Sequence, residues 1–73
     1  MNYTSDQKAY FASYFEKMQL RDKLASDSEV VQFASQVIVN LNNEAELAKE
    51  EYIKKYGSFP EREEIERILN TGN

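Results

Sequence analysis

The sequence predicts a small all-α domain of three helices, or four with a short turn near 20–25, built on a long central helix. Three observations predict this class. Residue pairs at capping-box spacing recur ahead of apolar runs, at Thr4/Gln7, Ser26/Glu29 and Ser58/Glu61. Apolar residues then return every three or four positions, the period of one helix face. Between the last two helical patterns stands Gly57-Ser58-Phe59-Pro60, a stop signal followed by a start signal. At 73 residues the chain has material for one core and one domain, spanning 1–73.

The first helix is expected over about 5–20. Thr4 and Gln7 satisfy each other's backbone donors at its start, and Asp6 faces the positive end of the dipole. Tyr10, Phe11, Tyr14, Phe15 and Met18 form an aromatic stripe on one side. Leu20 and Leu24 fall on the opposite side of that wheel, so the helix is expected to end or bend between 19 and 22.

The central helix is expected over about 27–56. Ser26 and Glu29 give a reciprocal cap, and Val30, Ala34, Val37, Leu41, Ala45, Ala48 and Tyr52 keep one phase, widened by Val31, Phe33, Ile38 and Tyr56. Asn42-Asn43 offers a rival break, and Val37-Ile38-Val39 a rival strand. The stripe holds its phase across the asparagines, which favours an unbroken helix. Phe33, Val37, Ile38 and Leu41 are expected to be its most buried part, against Phe11, Tyr14, Phe15 and Met18. Gly57 ends this helix, and a third is expected over about 59–69 with Ile65, Ile68 and Leu69 inward, followed by a frayed tail at 70–73.

Composition narrows the function classes. There is no Cys and no His, which removes disulfides, thiolate metal sites, the commonest metal ligand and the commonest acid/base catalyst. No remaining pair stands in a recognisable catalytic frame, so neither an enzyme nor a cofactor is expected. The acidic cluster Glu61, Glu63, Glu64 and Glu66 lacks the alternating ligands and Gly turn of a calcium loop, and reads as a solvated helix face with first-turn dipole compensation. The longest stretch without charge, 30–43, carries Gln32, Ser35, Gln36 and three asparagines and cannot span a bilayer. With no basic-then-apolar leader after Met1, a cytoplasmic protein is expected.

Nine Lys+Arg stand against thirteen Asp+Glu, a net charge of −4. This argues against tight DNA binding by the chain alone. The one basic cluster is Lys54, Lys55 and Arg62, which with Tyr56 and Phe59 forms the candidate interaction surface around the last turn. Five tyrosines and four phenylalanines fill a small core and offer contact area on whatever part stays exposed.

In the run from Tyr56 to Ile65, Gly57, Pro60, Glu64 and Ile65 match a Gly-x-x-Pro-Thr-x-x-Glu-Ile pattern. The segment thus resembles the helix opening found in helix-turn-helix segments of bacterial sigma factors and in many phage proteins. Glu61 stands where that pattern has Thr or Ser, and Glu66 where a small residue is usual. Four glutamates on a recognition helix would repel phosphate, so the motif reads as local turn chemistry. In composition the chain also resembles the small acidic accessory open reading frames of tailed phages of the T4 type. The functional expectation is a protein-binding accessory or regulatory factor, with homodimerisation open to it. A nucleic-acid accessory factor in phage recombination or replication, or an acidic DNA mimic, is the rival.

Overall fold

A computed structural model describes residues 2–71. Three helices follow one another: α1 (Ser5–Ser26), α2 (Ser35–Tyr56) and α3 (Arg62–Asn70). Among the described residues there is no strand.

The capping box at the start of α1 forms as its spacing predicts. Thr4 Oγ1 accepts from the Gln7 backbone N–H at 3.2 Å, and Gln7 Oε1 accepts from the Thr4 N–H at 2.8 Å. The helix then runs on to Ser26. The expected end between 19 and 22 does not occur, because Arg21, Asp22, Lys23, Leu24 and Ala25 contain neither Gly nor Pro and nothing there interrupts the backbone ladder. Leu20 stays outward, as its place on the wheel requires, instead of joining the core from a new direction.

Because α1 consumes residues to 26, the chain must reverse afterwards, and this displaces the start of the central helix from 27 to 35. The Ser26/Glu29 box does not form. Ser26 Oγ donates back to the Lys23 carbonyl, while Asp27 Oδ1 accepts from the Glu29 and Val30 N–H groups and caps a tight helical turn. That turn closes with bonds from Val31 to the Asp27 carbonyl and from Ala34 to the Val30 carbonyl. At Ala34 (φ −104°, ψ 8°) the backbone leaves helical geometry, and α2 begins there without a side-chain cap. From Ser35 onward α2 is continuous through Asn42-Asn43 to Tyr56, so periodicity prevails over the asparagine cap and over the β-branched run.

At the other end of α2, Gly57 adopts φ 99°, a value L side chains rarely take, and its N–H donates to the Ile53 carbonyl at 2.8 Å. The third helix starts at Arg62 rather than 59. Glu61 is its N-cap residue and no side chain caps it, so the Ser58/Glu61 pair does not act as a box and Pro60 lies before the helix. Asn70 closes α3 and Thr71 is a turn; the rest of the expected frayed tail, Gly72 and Asn73, lies outside the described residues.

The helices α1 and α2 form an antiparallel hairpin, with Gln7 opposite Tyr52 and Arg21 opposite Asn42. The third helix also packs on α1 and runs back along it: Ile65 is fully buried in the cluster with Phe11, and Arg62 at its start lies over Phe15 and reaches Asp22 in the second half of α1. The core is therefore Phe11, Tyr52 and Ile65, with Tyr3, Tyr10, Tyr14, Phe15, Phe59, Ile68 and Leu69 packed round it. This corrects the expected core. Leu41 is buried and Ile38 half-buried, but Phe33 is 85% and Val37 48% exposed. The reason is the reversal: α3 covers only the end where the chain termini meet, so the turn end is two helices thick with one side bare.

Burial fixes where truncation hurts. Ile65→Val is expected to cost about 1 kcal/mol in a denaturant titration. Phe33→Ala should change stability by less than about half a kcal/mol.

Candidate interaction surface

The five residues singled out around the last turn do not form one free surface. Lys54 is exposed, and Tyr56 is partly exposed with its ring tilted on Tyr52 at 4.6 Å between centroids. Lys55 Nζ donates to the Tyr10 hydroxyl at 2.8 Å and sits 5.2 Å from the centre of that ring. That hydroxyl oxygen stabilises the ammonium and raises the Lys55 pKa above its ordinary value. Arg62 turns the other way, to Asp22 Oδ2 at 2.7 Å and over the Phe15 ring at 5.9 Å. Two of the three cations thus hold α2 and α3 to α1.

Phe59 is the peg that joins the turn to the core. Its ring meets Tyr14 at 4.9 Å, Tyr52 at 5.2 Å and Phe11 at 5.7 Å, all edge to face. Tyr52 lies at the centre of this group, also meeting Tyr10 and Phe11, and its hydroxyl accepts from Gln7 Nε2 at 3.2 Å. Burial raises the Tyr52 pKa, and the Gln7 bond opposes that shift.

A second polar group ties the three helices together nearer the turn end. Arg21 donates to Asn42 Oδ1 at 2.9 Å and pairs with Asp22 at 2.6 Å, and Asp22 takes Arg62 on its other oxygen. The Arg21 hydrogen bond comes first among the causes that hold the Asp22 carboxyl below its ordinary value of 3.8, followed by that of Arg62. Beside this group an open groove is lined by Leu20 and Leu41 among the charged side chains of Glu16, Lys17, Lys23 and Arg62.

Sequence reasoning missed the surface that the fold leaves bare. Toward the turn end Val30, Phe33 and Val37 are exposed, while Leu20 (47% exposed) and the buried Leu41 line the groove that Arg62 of α3 also borders. Residues 30–43 carry no charge at all. That absence was visible in the sequence, where it signals a core helix; only the hairpin geometry turns part of it to solvent. Among the described residues no group of three or more carboxylates converges, and no helix is long and apolar enough to cross a membrane.

Two outcomes test this geometry. Phe59→Ala should speed amide exchange in α3 while leaving the α1–α2 hairpin protected, as read by residue-resolved hydrogen exchange. Asp22, whose folded pKa is depressed, contributes stability above the unfolded value of 3.8 and loses it as pH falls through the folded pKa. Acid titration of Asp22→Asn should accordingly show a flatter fall in stability through that window than the parent chain. Comparison with protein-family models, with curated proteins and with solved structures finds no match to this chain.

Proposed function

We propose that this chain is a non-enzymatic protein-binding accessory or regulatory factor that docks through the turn end of its helical hairpin. The observation that carries the reading is a run of exposed apolar side chains, Val30, Phe33 and Val37, within a stretch of fourteen residues, 30–43, without a charge. Protein interfaces have this composition at their centres: charge is depleted and aromatic residues are enriched. A monomer gains nothing by holding a phenylalanine in water, so a ring exposed at 85% next to further apolar residues supports a docking role. The same geometry weighs against nucleic acid as the partner. Lys55 and Arg62, the cations nearest the sigma-factor-like turn, are engaged with Tyr10 and Asp22, and Glu63, Glu64 and Glu66 crowd α3.

A photoreactive phenylalanine analogue at position 33, introduced in cells that carry the gene, tests the reading. Covalent adducts destroyed by protease but not by nuclease are expected. Nuclease-sensitive adducts, or none, would overturn it. In a separate titration with labelled duplex and single strands at low salt, no submicromolar binding is expected; tight binding that weakens steeply with salt would promote the nucleic-acid reading.

A further inference from the structure

We infer that the cleft between the N-terminal segment and the turn at 57–61 receives the guanidinium of an arginine side chain, carried on an extended segment of a partner protein. The cleft measures about 300 Å³, and Tyr3, Tyr52, Tyr56, Phe59 and Glu64 line it. It lies at the opposite end of the hairpin from Phe33. Tyr3 packs on Phe11 and makes no ring contact with Tyr52, Tyr56 or Phe59, so the space between these rings stays open. Aromatic faces carry negative charge density and hold cations. Glu64 adds a full negative charge. Its carboxylate has no ion pair or hydrogen bond among the described residues, and the hydroxyls of Tyr3 and Tyr56 have no hydrogen bond there. The nearest cations of the chain are engaged elsewhere, Lys55 with Tyr10 and Arg62 with Asp22.

A guanidinium fits these walls better than an ammonium. It is planar, stacks on aromatic faces and donates through five N–H groups, enough for a carboxylate and hydroxyl oxygens together. Burial leads the rise of the Tyr52 pKa and the Tyr3 and Tyr56 phenols add to it, so the three hydroxyls lie near one another. Two further features call for a polypeptide as the carrier. The Tyr52 hydroxyl accepts from Gln7, and its own proton has no acceptor among the described residues although Tyr52 is only 3% exposed. A backbone carbonyl supplies one. Tyr3 and Glu64 also line a wider groove of about 680 Å³, where Lys8 and Arg67 stand without an ion pair. Two cations there repel a small free cation and attract a carboxylate. The segment that suits both parts of the trough carries an arginine with an acidic residue close by.

Titration of the purified chain with the tripeptide Arg-Ala-Asp, blocked at both ends and followed by amide and tyrosine-ring chemical shifts, reads the outcome. Saturable shifts are expected at Tyr3, Lys8, Tyr56, Glu64 and Arg67. The same peptide with citrulline, which keeps the shape of arginine without its charge, should bind at least about tenfold more weakly. Glu64→Gln should weaken the arginine peptide to a similar extent, whereas Glu66→Gln, an equal change of net charge on the same helix outside the cleft, should not. Both glutamates are exposed, so an unchanged helical circular dichroism spectrum is expected for each variant. Tyr56→Leu should weaken binding about two- to fivefold. Absence of saturable shifts at these residues, equal binding of the citrulline peptide, or an equal loss in Glu66→Gln overturns the proposal. Ethylguanidinium binding as tightly as the tripeptide overturns the assignment to a polypeptide. None of these outcomes depends on cross-linking at position 33, so this cleft and the turn-end surface stand or fall separately.

Discussion

Tyr52 is the residue on which the arrangement of all three helices turns. Its ring receives Phe11 and Tyr10 from α1, Tyr56 from its own helix and Phe59 from the following turn, and its hydroxyl is held by Gln7. A tyrosine suits this place better than a phenylalanine would. The site is apolar on its faces, yet the ring's far end meets the first turn of α1, where a hydroxyl can accept the amide proton of Gln7. The same glutamine closes the capping box with Thr4. One side chain therefore starts α1 and fixes where along α2 that start must lie.

From that fixed end the remaining contacts follow with decreasing strength. Phe59 inserts among Tyr14, Tyr52 and Phe11, which places the chain for α3, and Ile65 then buries fully against Phe11. Farther along, apolar contact gives way to the polar chain from Asn42 through Arg21 and Asp22 to Arg62. Asp22 is 43% exposed, so water screens these pairs and they align the helices more than they stabilise them. Past that point α3 no longer reaches, and the hairpin continues as two helices.

The parts of this architecture legible in the sequence are those decided locally or by periodicity. The Thr4/Gln7 box, the stripe from Tyr10 to Met18, the continuity of α2 across Asn42-Asn43 and the positive φ at Gly57 each depend on a few neighbouring residues or one helix face. What was not legible depends on how far one helix runs before the chain turns. Ser26-Asp27-Ser28-Glu29 has the composition of a helix start, but the same side chains serve a reversing turn equally well, and the choice is made by α1 continuing to Ser26. The apolar stripe of α2 likewise says which side can be buried and not how much of its length is covered. Val37 and Leu41 share that side; only Leu41 is covered, and nothing in their own spacing separates them. For the same reason the cations at 54, 55 and 62 looked like a common rim in sequence, whereas Lys55 and Arg62 are drawn to separate stations on α1.

The placement of the aromatic core at the far end from the hairpin turn has a kinetic consequence. The contacts that hold the hairpin shut, Gln7 to Tyr52 and Tyr10 to Lys55, join residues 45 apart in the chain. A hairpin with its best contacts beside the turn can zip from the turn outward, each step closing a small loop. Here the intervening chain must be ordered before its reward arrives, so the entropy of a long closure is spent early. The turn at 27–34, held by Asp27 and a few backbone bonds, gives little help as a nucleus. The hairpin's long-range side-chain contacts thus lie at its open tips, and its bend, held by fewer of them, is where amide exchange is expected to be fastest.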